Sequence, residues 1–238
     1  MTYFRSTISA LLLVVFSLVL SQRAFATTAD DDANAANELN AGVVLVKAKQ
    51  PAQALEHFDK VISNFESRYH DSSTTYYSAR TDKEKSYYQL NAPNPSKTVV
   101  LSSDWAYGYY YKSYSLTELG RVPEAITLLQ KALSMSPQNA QFMEELGYHY
   151  QNQKNWAAAL DLFKKAEFAS KEFTPQEYRN AELARAWRGI GYVYVEYGRL
   201  DEATAIYRQC LELNANDEKA KGELEYIDNL KGKTPARK

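Results

Sequence analysis

Few residues in this chain are of a type and spacing that could make or break bonds, and they do not converge. The three histidines, His57, His70 and His149, have no second His, Cys or carboxylate recurring at ligand spacing on one helical face. No metal site is therefore expected. Gly189-Ile190-Gly191 resembles a phosphate loop in composition, but no strand precedes it, so it cannot cradle a dinucleotide. Glu144 and Glu145 are neighbours on a helical segment and diverge by about 100°, too far apart to work as an acid/base pair. No nucleophile motif is present, so neither enzyme activity nor a cofactor is expected. The chemistry that remains is recognition. Spacings of three and four gather Tyr107, Tyr110, Tyr114 and Thr117 on one face, then Gln141, Glu144, Tyr148 and Gln151, then Arg185, Arg188, Tyr192 and Val195. Tyrosine, present 19 times, offers large contact area at low entropy cost and a hydroxyl for hydrogen bonding.

The elements that carry these faces repeat. A small residue is followed at +12 by Ala and at +16 by a large apolar residue four times. The sets are Gly42/Ala54/Phe58, Ser113/Ala125/Leu129, Gly147/Ala159/Phe163 and Gly191/Ala203/Tyr207. Val61, Ala132, Ala166 and Cys210 stand at +19, which makes the only cysteine a packing residue. Two helices of a hairpin approach closely only where side chains are small, so the Gly or Ser is expected to face the Ala. The +16 residues and Trp187 are expected to fill the space between successive hairpins. With only nine Gly and seven Pro, long helices and short turns follow.

The motif Trp187-x-x-Ile190-Gly191-x-x-Tyr194 with Ala203 and Tyr207 resembles the tetratricopeptide repeat. So do Gly147-x-x-Tyr150 with Ala159-x-x-x-Phe163-x-x-Ala166, and Gly120-Arg121-x-x-Glu124-Ala125 with Pro137. The resemblance implies an all-α fold, a right-handed superhelical solenoid of stacked helix-turn-helix repeats. It also implies that the Tyr/Gln/Arg stripe lines a concave groove, aromatic at one end and basic at the other. Some relatives of this kind grip a chaperone's C-terminal carboxylate with a Lys/Asn/Arg clamp. Tyr110 and Tyr114 occupy two of those places, which does not support that partner class.

The expected organisation is repeat one over 35–68, repeat two over 106–139, repeat three over 140–173 and repeat four over 174–217, followed by a capping helix over 218–230 and a disordered basic tail. Residues 174–183 lengthen the first helix of repeat four, with Thr174 and Glu177 as a capping box and Pro175 at the first helical place. Residues 69–105 are an insertion, read as a degenerate helical hairpin or flap with a helix from Tyr76-Tyr77 to Leu90. Residues 27–34 read as a flexible leader. Before them, Arg5, the uncharged apolar run 8–20 and Ala24-Phe25-Ala26 form a secretory signal peptide, cleaved after Ala26. That places the chain in the periplasm, touching membrane only during export. A net charge of -1 gives no field to attract nucleic acid. The expected function is binding of a protein or extended peptide, as an adaptor or assembly factor for envelope proteins. The alternative is an inhibitor or immunity-type protein that uses the insertion and outer face.

Overall fold

The computed structural model describes residues 29–233. The segment expected to be a signal peptide, residues 27 and 28 of the expected leader and residues 234–238 lie outside them. Four helix pairs follow in order: α1 (29–47) with α2 (Pro51–Arg68), then, after the insertion, α4 (Asp104–Glu118) with α5 (Val122–Met135). They continue with α6 (Ala140–Asn152) and α7 (Trp156–Glu172), α8 (Gln176–Glu196) and α9 (Leu200–Leu213), and the cap α10 (Glu218–Lys233). The helical solenoid expected from the repeat is therefore present.

Each pair is turned by the same device. Lys49, Gly120, Lys154 and Gly198 take left-handed φ values of 61°, 76°, 58° and 70°. The next residue donates back across the turn: Gln50 to Leu45 at 2.9 Å, Arg121 to Leu116, Asn155 to Tyr150 and Arg199 to Tyr194 at 2.8 Å. This closes the exposed carbonyls of the first helix. Gly fits the conformation without strain in two copies, and Lys accepts it at a cost in the other two.

The small residues are explained by rings. A Cβ on Gly42 would stand 2.4 Å from Phe58, one on Gly147 2.7 Å from Phe163, and one on Gly191 2.8 Å from Tyr207. The atoms nearest each glycine belong to the +16 ring, so that ring, more than the +12 Ala, sets the spacing. In repeat two, Leu129 replaces the ring and Ser113 replaces Gly, its Oγ donating to Ala125 O at 2.8 Å. Ala54, Ala125, Ala159 and Ala203 are all fully buried. Phe163 also lies against Gly189 of the next repeat, where a Cβ would stand 2.6 Å from the ring. One ring thus joins three helices. Trp187 does bridge repeats three and four, its Nε1 donating to Glu167 Oε1 at 3.0 Å. Cys210 is buried with its Sγ 3.8 Å from Ala184 O, and burial pushes its thiol up to about 11.

Four expectations need correction. Residues 29–34 are not a flexible leader but the start of α1, held by Arg68 on Asp32 at 2.8 Å and by the buried Ala35. Residues 231–233 continue α10 and are not a disordered tail. Thr174 does not cap α8: Pro175 stands at the boundary without a side-chain cap, and the Thr174 hydroxyl donates to Glu182 Oε2 at 2.5 Å. The insertion is a β-α-β unit, β1 (Thr75–Ala79), α3 (Asp82–Asn91) and β2 (Thr98–Ser102), with the strands parallel and Thr75 opposite Thr98. Tyr76 and Tyr77 are extended because the β-branched run Thr98-Val99-Val100 pairs with them. The helix begins later, where Thr81 accepts from Glu84 N at 3.1 Å.

Gly189→Ala should destabilise the protein by about 1–3 kcal/mol, because a Cβ there would stand 2.6 Å from the Phe163 ring, which is already in close contact with Gly147. Gly222→Ala, where a Cβ meets nothing within 4 Å, should be neutral or gain about 0.5–1 kcal/mol. Equal urea midpoints for the two variants would contradict this packing.

Candidate functional site: a groove in two clefts

The first helices of the repeats line two clefts that share Arg185. The N-terminal cleft, about 630 Å3, is bounded by Lys47 of α1, Tyr107 and Tyr111 of α4, Gln141 of α6, Arg80 of the insertion, and Glu177, Tyr178 and Glu182 of α8. The C-terminal cleft, about 740 Å3, is bounded by Glu145, Tyr148 and Gln151 of α6, by Arg185, Arg188 and Tyr192 of α8, and by Glu218, Lys219, Gly222 and Glu223 of α10. The cap is therefore also a wall of the groove.

Five of the nine groove residues expected from sequence line the second cleft: Tyr148, Gln151, Arg185, Arg188 and Tyr192. Tyr107 lines the first, its hydroxyl donating to Gln141 Oε1 at 3.2 Å. Three do not belong to the groove surface. Tyr110 is buried against Phe142, with centroids 4.9 Å apart, its Oη accepting from Gln141 Nε2 at 3.0 Å, and burial raises its phenol well above the usual range. Tyr114 is half-buried and lines neither cleft. Glu144 is completely buried.

The basic end is also corrected, because its cations are already spent. Arg185 Nε stands 3.1 Å from Glu144 Oε2 and its Nη2 3.5 Å from Glu145. Arg188 Nη1 lies 2.5 Å from Asp217, which also accepts from Ala220 N and so caps α10. One turn earlier, Glu182 pairs with Arg80 at 2.9 Å. Reversing Arg185 or Arg188 would break internal pairs and is a poor probe of ligand binding.

Sequence reasoning missed Arg80, and with it the relation between the two breaks in the period. Arg80 holds Glu84 at 3.1 Å and Glu182 at 2.9 Å, and Thr174 accepts from it at 3.3 Å. The insertion therefore docks on the extension of α8. It is held further by Ser136 Oγ donating to Ser78 O at 2.6 Å and by Gln138 N donating to Tyr88 Oη at 3.0 Å. Tyr76 tilts onto Trp105, whose ring stacks on Phe65 at 5.7 Å. It is an integral part of the fold rather than a flap. The signal was an arginine and a glutamate in the two non-repeating segments, which only the fold brings together. Lys47 and Tyr178 were missed because α1 and the start of α8 reach the groove only through tertiary packing. Tyr111 was missed because the expected α4 stripe ran through Tyr110, which is buried, while Tyr107 and its i+4 neighbour Tyr111 line the cleft.

His149 is buried, and burial lowers its pKa; its Nε2 lies 3.3 Å from the Thr117 hydroxyl. His57 Nδ1 lies 2.7 Å from Glu38. Among the described residues no cluster of His, Cys, Asp and Glu could hold a metal ion, and no helix is long and apolar enough to cross a membrane.

Family models described as tetratricopeptide repeat match residues 112–175 and 184–217, so repeats two to four are of this type. The chain is 29% identical over 97 residues to the general transcriptional corepressor ssn6 of Schizosaccharomyces pombe. That match takes in 41% of this chain and only 8% of the corepressor. Among solved structures, Pseudomonas aeruginosa PilF has a TM-score of 0.60 at 15% identity, covering 85% of this chain and 71% of its own. MamA from Desulfovibrio magneticus RS-1 has a TM-score of 0.55 at 15% identity, covering 84% and 86%. At such identities the shared property is the fold.

Glu144 gives this region a pH dependence. Burial raises its carboxyl well above the usual range, and Arg185 opposes the shift only in part. A raised acid contributes stability that is complete below the ordinary value of 4.5 and is lost as pH climbs through the folded value. Glu144→Gln should therefore flatten the fall in melting temperature as pH rises above 4.5. Glu84 and Glu223, also raised by burial, should leave a residual slope. An unchanged slope in the variant would contradict the assignment.

Proposed function

We propose that this chain is a protein-binding module that holds an extended segment of a partner in the concave groove, and that it works as an exported adaptor or assembly factor. The observation that carries the reading is the pair of clefts along the first helices, which share Arg185, are lined by tyrosines and, at the C-terminal end, are walled by the cap. Tetratricopeptide repeats over 112–175 and 184–217 support an interaction role over a catalytic one. Export rests on the n-region, apolar run and Ala24-Phe25-Ala26 of residues 1–26, and N-terminal sequencing of the protein from a periplasmic extract tests it. The inhibitor or immunity-type reading gains some support from exposed apolar residues on the insertion, Leu90 at 79% and Val99 at 38%. Deleting 69–105 cannot test that reading, since it would strip Glu182 of Arg80; Leu90→Glu can.

Gly222 provides a clean block of the groove. An added side chain there meets open space, and the position is helical without a left-handed φ. Gly222→Trp should keep the melting temperature of the wild type and fill part of the 740 Å3 cleft. Partner capture from an envelope extract should fall by about tenfold or more, the size of a central interface contact. Undiminished capture by a folded Gly222→Trp protein, together with loss in Leu90→Glu, would transfer the function to the outer face.

A further inference from the structure

We propose that β2 is the docking edge for a second copy of this chain, which joins two insertions into one sheet in the order β1-β2-β2-β1. The proposal does not depend on the groove reading, since none of residues 98–102 lines either cleft.

The two strands of the insertion have unlike outer edges. On β1 the Ser78 carbonyl accepts from Ser136 Oγ at 2.6 Å, and just past the strand the Arg80 N–H donates to Glu84 Oε2 at 2.6 Å. These bonds leave the sheet, so the outer side of β1 is used in docking the insertion. β2 has nothing equivalent. Among the described residues, no backbone group of Thr98–Ser102 has a hydrogen-bond partner outside β1. Pairing runs residue for residue from Thr75 and Thr98 to Ala79 and Ser102 without a bulge. The strand Thr98-Val99-Val100-Leu101-Ser102 carries neither charge nor proline. An edge that lacks these protections is a template for another strand.

The pattern of the edge names the occupant, because it is complementary to itself read backwards. In an antiparallel pair about a two-fold axis at Val100, Val100 meets its own copy, Val99 meets Leu101, and Thr98 meets Ser102. Apolar faces apolar and hydroxyl faces hydroxyl, and no like charges stand opposite each other. Val99, now 38% exposed, is covered by Leu101 of the other copy. The backbone agrees with this register. Successive residues of a strand turn their backbone groups to opposite sides, so Tyr77, next to Ser78, faces β2. Tyr77 stands opposite Val100, and parallel pairing gives its bonds to Val99 and Leu101. The free groups are then those of Thr98, Val100 and Ser102, which the two-fold axis sets in hydrogen-bonded pairs.

The charges beside the strand fit the same arrangement. Lys97 is exposed and forms no ion pair; Asp71, the acid it influences, is held by Ser73 and Thr74. Asp104 has no cation near it, and burial raises its carboxyl above the usual range. The two-fold axis carries Lys97 of each copy beside Ser103 and Asp104 of the other, so opposite charges meet at both ends of the paired strands.

The test is sedimentation equilibrium of the purified protein from about 1 to 500 μM, a span that covers micromolar association. The protein should pass reversibly from monomer to dimer. Val100→Lys and Val100→Glu each set like charges against each other on the axis, and each should weaken the dimer by about tenfold or more. An equimolar mixture of the two should recover association to within about threefold of the wild type, because opposite charges then meet. Melting temperatures check that the variants are folded. If a Val100 variant is not, Val99→Lys, at an exposed site of the same edge, serves as the blocking change and should also weaken the dimer. Gly222→Trp, which occupies the groove, should leave the dimer intact. A monomer at every concentration overturns the proposal. So does a dimer that the folded edge variants leave unchanged, a mixture of folded Val100 variants that fails to associate, or a dimer lost in Gly222→Trp.

Discussion

Glu182, Arg185 and Arg188 stand three residues apart on one face of α8, and each takes its partner from a different element. Glu182 meets Arg80 of the insertion, Arg185 meets Glu144 and Glu145 of α6, and Arg188 meets Asp217 at the start of the cap. Removing one member would leave a buried or half-buried charge without its counterpart, which costs more than the pair itself contributes. The stripe therefore acts chiefly on specificity of arrangement. It fixes where the β-α-β insertion docks, how repeat three meets repeat four, and where α10 begins. The two clefts exist between elements that this stripe holds in place.

Around that spine, the repeat supplies a joint of one kind. In three of the four repeats a ring at +16 rests on a glycine of its own hairpin, and Phe163 rests on a second glycine in the next hairpin as well. Such a joint leaves no room for a methyl group, so the distance between first helices is set by ring thickness. Groove width follows from core packing, while groove chemistry follows from residues that the repeat leaves free. Tyr178, Tyr192 and Lys219 are of the second kind, and they can vary without disturbing the first.

Much of this was legible in the sequence because it is periodic. Gly147, Ala159, Phe163, Trp187 and Gly191 announce helix pairs by spacing alone, and the structure places all five in the core or at the close contact. The stripe was legible as a face but not as a surface. Tyr110, Glu144 and Arg185 lie on one helical side as spacing requires, yet neighbouring helices bury the first two and neutralise the third. Helical periodicity reports direction and says nothing about what stands opposite. The insertion was the least legible part. Its strands depend on pairing between Thr75–Ala79 and Thr98–Ser102, and Arg80 meets Glu182 across roughly 100 residues of chain. Local patterns carry no trace of either.

The pair that ties the two non-repeating segments is accordingly the place to test the whole account. A double-mutant cycle with Arg80→Met, Glu182→Gln and both together, read by urea unfolding, measures their coupling directly. Arg80→Met alone should cost about 3–5 kcal/mol, because Glu84 and Glu182 remain buried without their cation. The double variant should be less destabilised than the sum of the single ones by about 1–3 kcal/mol. Single effects that simply add, within about 0.5 kcal/mol, would mean that the insertion and α8 are held together by something else.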